Sequence, residues 1–134
     1  MRKGVRIFII IFFFLSFLSS LISAKEIDGP KALFFRKSFN FGKIKEGNKA
    51  STIFNFKNIG TKDLVVRKIR VSCGCTATLL STDLLKPGET GELKVTFDSK
   101  GLEGEIKRSI YFHSNDPDNP VIQLIINSIV EPRS

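Results

Sequence analysis

Apolar and polar residues alternate over most of the chain after residue 24, in short runs separated by turn residues. Alternation with a period of two is typical of strands that bury one face. The pattern predicts strands over residues 32–35, 39–41, 50–57, 64–71, 91–98, 106–113 and 121–130, with no helix of useful length among them. Asn, Asp, Gly and Pro cluster between the runs, as expected for turns.

Two runs predict more than a plain strand. Leu64 and Val66 share one parity, whereas Ile69 and Val71 have the other, so a flat strand cannot bury both pairs and we expect a bulge or bend near Arg67 and Lys68. The last run is apolar on both parities, which predicts a strand covered on both faces. We expect one core that contains Phe54, Phe56, Leu93, Val95, Phe97, Ile110, Phe112, Leu124 and Ile126.

About seven short strands without a helix are typical of an all-β, immunoglobulin-like antiparallel β-sandwich. The length of the segment 25–134 suits one domain with a single core. The chain has no tryptophan, and its two cysteines are too close in sequence to bridge two sheets, so an antibody-type domain is not expected.

Residues 1–24 have the order of a secretory signal peptide. Three basic residues, an apolar run from 7 to 22 and a small residue, Ala24, precede the charged pair at 25–26. We therefore expect cleavage after Ala24 and a secreted or periplasmic domain over 25–134, with no stable membrane anchor. The alternative is an uncleaved anchor, but the apolar run is shorter than the roughly 20 residues that a spanning helix prefers and contains three serines.

The charge of the chain changes this picture little. The formal net charge is +8, and because three of the 21 basic residues and none of the 13 acidic ones lie in residues 1–24, +5 remains on 25–134. Such a surface suits an anionic envelope or polymer. The lysines are scattered without a run of five, so nucleic acid is not an expected partner.

Cys73 and Cys75 are the only cysteines, separated by Gly74. In a regular strand their Cα atoms would lie roughly 6.6 Å apart with parallel side chains, so a disulfide requires a bend, which Gly74 would ease. A ring this small would be easily reduced and would stabilise the fold little. Plain packing of two small side chains at a strand end is a second interpretation.

A metal site is a third interpretation of the same pair. Two thiolates suit Cu(I) or Zn, and His113, the one histidine, would be the third ligand. Its parity is opposite to that of Phe112, however, which predicts a ring in solvent. Asp116 and Asp118 match no calcium loop and are explained by turn chemistry. No catalytic set can be assembled, so we expect neither an enzyme nor a cofactor.

Several short motifs extend over nearly all of residues 25–134. They are Phe41-Gly42-Lys43-Ile44, Glu46-Gly47, Phe54-x-Phe56-x-Asn58-x-Gly60, Leu64-x-Val66, Cys73-Gly74-Cys75-Thr76, Pro87-Gly88-Glu89, Ser114-Asn115 and the strand 122–130. In these the chain resembles the bacterial family called domain of unknown function 1573. The resemblance implies a secreted immunoglobulin-like sandwich akin to the domains of major sperm protein and hydin, and no established activity.

These observations predict a non-enzymatic extracytoplasmic module of the cell envelope that binds other proteins through its sandwich faces or edge strands. The alternative is a small redox-active or copper-handling protein that uses Cys73, Gly74 and Cys75.

Overall fold

The structure, a computed structural model, describes residues 2–18 and 24–133. One helix, α1, covers Arg2–Leu18. The strands are β1 (Ala32–Phe34), β2 (Ser38–Lys45), β3 (Lys49–Asn58), β4 (Leu64–Val71), β5 (Thr76–Leu80), β6 (Leu84–Leu85), β7 (Thr90–Asp98), β8 (Gly104–Ser114) and β9 (Val121–Glu131).

The strands form two sheets that face each other as a sandwich. The four-stranded sheet has the order β1-β3-β7-β5, and the five-stranded sheet has the order β2-β9-β8-β4-β6. The sandwich is as predicted, but with nine strands in the described residues instead of about seven, because β5 and β6 are short and carry little alternation. One pair, β2 with β9, is parallel. Alternation cannot reveal this, since a period of two is the same in either direction.

The core lies between the inner faces of the two sheets. All nine residues predicted for it are at most 2% exposed. At its centre the rings of Phe34, Phe56 and Phe112 meet, with centroids 4.9–5.1 Å apart. Burial of aromatic side chains on this scale is a large favourable term in the folding of a small domain.

The predicted bulge is present in β4. Val66 pairs with Ser114 and Lys68 pairs with His113, so two consecutive residues of β8 pair with residues that are two positions apart on β4. The extra residue, Arg67, restores the inward direction for Ile69 and Val71, which pack against the core.

The prediction that β9 is covered on both faces was wrong. Val121 is 47% exposed and Ile129 is 40% exposed on its outer face. Both edges of β9 are paired, with β2 and β8, but no further layer covers the outer face of this sheet within residues 24–133.

Helix α1 presents an exposed apolar surface to its surroundings. No helix in the described part of the chain has both the length and the apolar character needed to cross a membrane. The cleavage point predicted after Ala24 adjoins residues 19–23, which lie outside the described residues, as do residues 1 and 134.

Candidate functional site

The two cysteines lie where the chain passes from one sheet to the other. Strand β4 of the five-stranded sheet ends at Val71, and β5 of the four-stranded sheet begins at Thr76. We call residues 72–75 the cysteine turn. The N–H of Ser72 donates to the carbonyl oxygen of Ser109 in β8 (3.0 Å), and the N–H of Asp98 in β7 donates to that of Cys75 (2.8 Å). The turn is therefore anchored to both sheets.

Cys73 and Cys75 form a disulfide, with their Cα atoms 5.2 Å apart. This separation is shorter than the roughly 6.6 Å of a regular strand, so the bend expected at this point is present. Gly74 does not supply it through a left-handed backbone, because the φ of Gly74 is not positive. A Cβ at Gly74 would meet open space. The expectation that the bend depends on the backbone freedom of glycine is therefore not supported.

Each sulfur accepts a hydrogen bond. The N–H of Cys75 donates to Sγ of Cys73 (3.0 Å), and Nε of Arg108 donates to Sγ of Cys75 (3.4 Å). The hydroxyl Oγ1 of Thr76 lies 3.9 Å from Sγ of Cys75. Both cysteines are half-buried, and Cys75 packs against the core. The disulfide is thus partly accessible, and the cationic side chain of Arg108 contacts one of its two sulfurs.

Arg108 was missed in the sequence. It shares the parity of Ile106, Ile110 and Phe112, which face the core, and it is half-buried. Its Nη1 also donates to the carbonyl oxygen of Lys107 (3.0 Å). The signal was available, since a cation interrupts an alternating apolar run at a position that should point inward.

His113 lies elsewhere on β8. It pairs with Lys68 of β4 and Val121 of β9, five residues along the strand from Arg108, or roughly 16 Å. Partial burial of the ring, with Lys68 and Arg70 close by, lowers the pKa of His113 below 6.5. The structure does not bring the three predicted metal ligands together. Nor do any three His, Cys, Asp or Glu side chains within 2–18 and 24–133 form a group that could hold a metal.

The two aspartates of the loop 115–120 hold that loop in place. Asp116 is buried, and its carboxylate accepts hydrogen bonds from the N–H groups of Ala32 (3.1 Å), Asp118 (2.9 Å) and Asn119 (3.1 Å). Asp118 pairs with Lys31 at 3.9 Å. Turn chemistry, as expected, accounts for the bonds of Asp116 within the loop, whereas its bond to Ala32 ties the loop to β1 and Asp118 contributes an ion pair.

Other motif residues have structural roles. The buried side chain of Asn58 accepts from the N–H groups of Lys31 and Gly60 and donates to the carbonyl oxygens of Lys62 and Leu85. A Cβ at Gly60 would overlap the backbone of residues 29–31. Asn58 and Gly60 therefore fasten β3 to the neighbouring loops.

A second candidate surface is the free edge of β5, here called the β5 edge (Thr76–Leu80). β5 ends its sheet and pairs on one side only, with β7. The N–H of Ser81, just after β5, and the N–H of Asp98 in β7 each donate a hydrogen bond across this ladder. Positions that bond to the neighbouring strand alternate along an antiparallel strand, and Thr78 and Leu80 occupy the other positions. Their N–H groups therefore point away from β7. The side chain of Leu79 is 69% exposed beside them.

The family model described as protein of unknown function (DUF1573) matches residues 33–130. The chain belongs to this family. The match covers the cysteine turn, the β5 edge and all nine strands except the first residue of β1 and the last of β9. The comparison with curated proteins found no match.

Solved structures with the same fold come from several sources. A protein of unknown function from Porphyromonas gingivalis W83 has a TM-score of 0.68 and 15% identity, with 82% of this chain and 51% of that chain covered. The PapD-like domain 7 of human CEP192 has a TM-score of 0.58 and 12% identity, covering 84% and 99%. The periplasmic chaperone SfaE has a TM-score of 0.50 and 10% identity, covering 78% and 59%.

These likenesses show a PapD-like, immunoglobulin-like fold for this DUF1573 chain and no more. The chain spans only about half of the Porphyromonas protein.

Proposed function

We propose that this DUF1573 protein is a non-enzymatic binding module outside the cytoplasm, and that it receives an extended segment of another envelope protein as an added strand on the β5 edge. Main-chain hydrogen bonds would supply affinity, and the side chains at alternate positions of the added strand would supply specificity.

The observation that carries the proposal is the contrast between β5 and the other edge strands. Strands β1 and β6 are only 3 and 2 residues long. Strand β2 carries Lys43 and Lys45 and an irregularity between Asn40 and Lys43. Short length, lysines and irregularities are the usual protections of a sheet edge. Strand β5 (TATLL) has five residues and neither a charge nor a proline, so its edge is unprotected.

The outer face beside this edge favours a partner with an apolar side chain. Leu79, Lys94 and Ile53 lie in one row across β5, β7 and β3. Leu79 is 69% exposed and Ile53 39%. An added strand would place every second side chain on this face, directly beside Leu79, where an apolar residue would cover Leu79 and a long acidic side chain would extend towards Lys94 on the next strand.

The extracytoplasmic part of the proposal is supported by the basic, apolar and small residues of segment 1–24, in the order of a signal peptide. The PapD-like likeness, including that to the periplasmic chaperone SfaE, shows the fold alone.

The test is site-specific photo-crosslinking in the producing cell. A photoreactive residue replaces Leu79 in one variant and Leu84 in the control, because Leu84 is also an exposed apolar residue (47%) on an edge strand. We expect position 79 alone to crosslink to a discrete envelope protein. The crosslinked segment, made as a peptide, should bind the purified protein in calorimetry, and Leu79→Lys but not Leu84→Lys should weaken this binding.

Equal crosslinking at positions 79 and 84, or peptide binding unchanged in Leu79→Lys, would exclude the β5 edge as the binding surface. A crosslinked dimer of this chain alone would show that the occupant is a second copy, contrary to the proposal.

A further inference from the structure

We propose that the cysteine turn is a thiol–disulfide exchange site for protein thiols, in which Cys73 is the sulfur attacked and Arg108 stabilises the departing thiolate of Cys75. This activity is additional to strand addition on the β5 edge and does not rest on it.

The position of Arg108 is the first observation. It lies on the inward parity of β8, opposite Ile126 of β9, which is 2% exposed. The five ion pairs formed within residues 24–133 do not include Arg108. Arg108 is half-buried, so its guanidinium loses part of its hydration without gaining a carboxylate partner, which does not favour folding by itself. Residues that break the local pattern in this way are typical of functional sites.

The contacts of the two sulfurs are the second observation. Sγ of Cys75 faces the cationic Nε of Arg108 at 3.4 Å, whereas Sγ of Cys73 accepts only the neutral N–H of Cys75 at 3.0 Å. A hydrogen bond from a charged donor favours an anion more strongly than one from a neutral donor. A cation beside a cysteine also favours its thiolate form. When the disulfide opens, the negative charge is therefore better accommodated on Cys75.

The space around the two sulfurs also favours attack at Cys73. Cys73 lies between Ser72 and Gly74, which are both exposed, and there is open space beside Gly74. Cys75 packs against the core and is followed by Thr76, which is buried. An incoming thiolate therefore has more room at Cys73.

The exchange step balances with a protein dithiol as the named co-reactant. Its thiolate attacks Sγ of Cys73, a bond forms between these two sulfurs, and the bond between Cys73 and Cys75 breaks. The electron pair goes to Sγ of Cys75, beside Arg108. The second thiol of the partner then gives up its proton and attacks the partner's own sulfur in the mixed disulfide, and Cys73 leaves as a thiolate that takes up a proton. The partner is oxidised to a disulfide, and the cysteine pair gains two electrons and is reduced.

Reduced glutathione is the probe for the test. The purified protein is mixed with it and quenched with acid, free thiols are alkylated, and mass spectrometry identifies which cysteine carries glutathione. We expect glutathione on Cys73 and the alkyl group on Cys75. In Arg108→Gln this preference should fall, and opening should slow by roughly threefold to tenfold. The thiolate absorbance of the reduced variant should appear roughly one pH unit higher than in the unaltered protein.

Two further variants separate this role from a structural one. Arg108→Lys keeps the charge and should restore much of the preference. Arg70→Gln removes an arginine from the exposed face of β4 and should change nothing. Glutathione mainly on Cys75, an unaltered preference and pH profile in Arg108→Gln, or a folded protein that does not exchange while the urea-unfolded chain does, would each overturn the proposal.

Discussion

Gly91 of β7 has no space for a side chain, and Gly91→Ala should destabilise the domain for a steric reason alone. Gly91 pairs with Phe56 of β3. A Cβ at Gly91 would lie 2.6 Å from Cζ of the Phe56 ring. That ring is fully buried, with its centroid 5.1 Å from that of Phe34 and 5.0 Å from that of Phe112. It cannot move away without displacing both neighbours.

The expected change in the free energy of unfolding of Gly91→Ala follows from two opposing effects. Overpacking a buried site by one methyl group typically costs about 1–3 kcal/mol. Replacing glycine also restricts the unfolded chain, which stabilises by about 0.4–1 kcal/mol. Because the φ of Gly91 is not positive, backbone strain does not contribute. The free energy of unfolding should therefore fall by about 1–2 kcal/mol, a substantial part of a typical total of about 5–15 kcal/mol.

Urea unfolding, followed by circular dichroism, measures this change. In a Phe56→Leu background the colliding ring is absent, so Gly91→Ala should be neutral or slightly stabilising, with a coupling energy of about 1–3 kcal/mol. Gly74→Ala is the matched control, since its Cβ meets nothing and its φ is not positive. It should stay within about 0.5 kcal/mol. An unchanged midpoint in Gly91→Ala, or the same cost in both backgrounds, would refute the steric argument.

Three other predictions concern the N-terminus, the histidine and the cysteines. Protein recovered from the envelope should begin at residue 25 in N-terminal sequencing; an intact residue 1 with extraction by detergent alone would favour the anchor. The pKa of His113, followed by NMR, should lie below 6.5 and rise in Lys68→Gln with Arg70→Gln. In the unaltered protein, the lowered pKa means that folded His113 binds fewer protons than unfolded His113, so His113 should reduce the stability of the fold as pH falls below about 6.5. Joint substitution Cys73→Ser and Cys75→Ser should cost about 1–2 kcal/mol, since the loop it opens is very short; a variant that fails to fold would contradict this.

Much of the fold was predictable because burial imposes a visible period on the sequence. The parity change between Val66 and Ile69 predicted the bulge, and the alternation in residues 50–57 and 91–98 predicted most of the core. Strand β6 has two residues, too few for any period. The outer face of β9 misled the prediction because apolar residues also occur on exposed strand faces, where β-propensity favours Val and Ile.

The candidate site was predictable only in part. The spacing of Cys73 and Cys75 predicted a pair that needs a bend, and the structure has both. The partner on Cys75 was not predictable, because the contact joins residues 33 positions apart through a crossover between sheets. The same alternation that placed Ile110 and Phe112 in the core does place Arg108 beside them. The sequence therefore shows a cation at an inward-facing position, but it does not show the contact of Arg108 with Cys75.

The two proposed sites are neighbours in the chain, but they depend on different interactions. The cysteine turn is held by backbone hydrogen bonds, from Ser72 to Ser109 on one side and from Asp98 to Cys75 on the other, and neither bond involves a sulfur. Opening the disulfide should therefore leave β5 paired with β7, and the β5 edge should remain able to accept a strand. Conversely, the side chain of Leu79 points to the outer face, whereas Arg108 lies on the inner face of the opposite sheet. Leu79→Lys should thus leave exchange intact, and Arg108→Gln should leave strand addition intact, so that failure of one proposal does not decide the other.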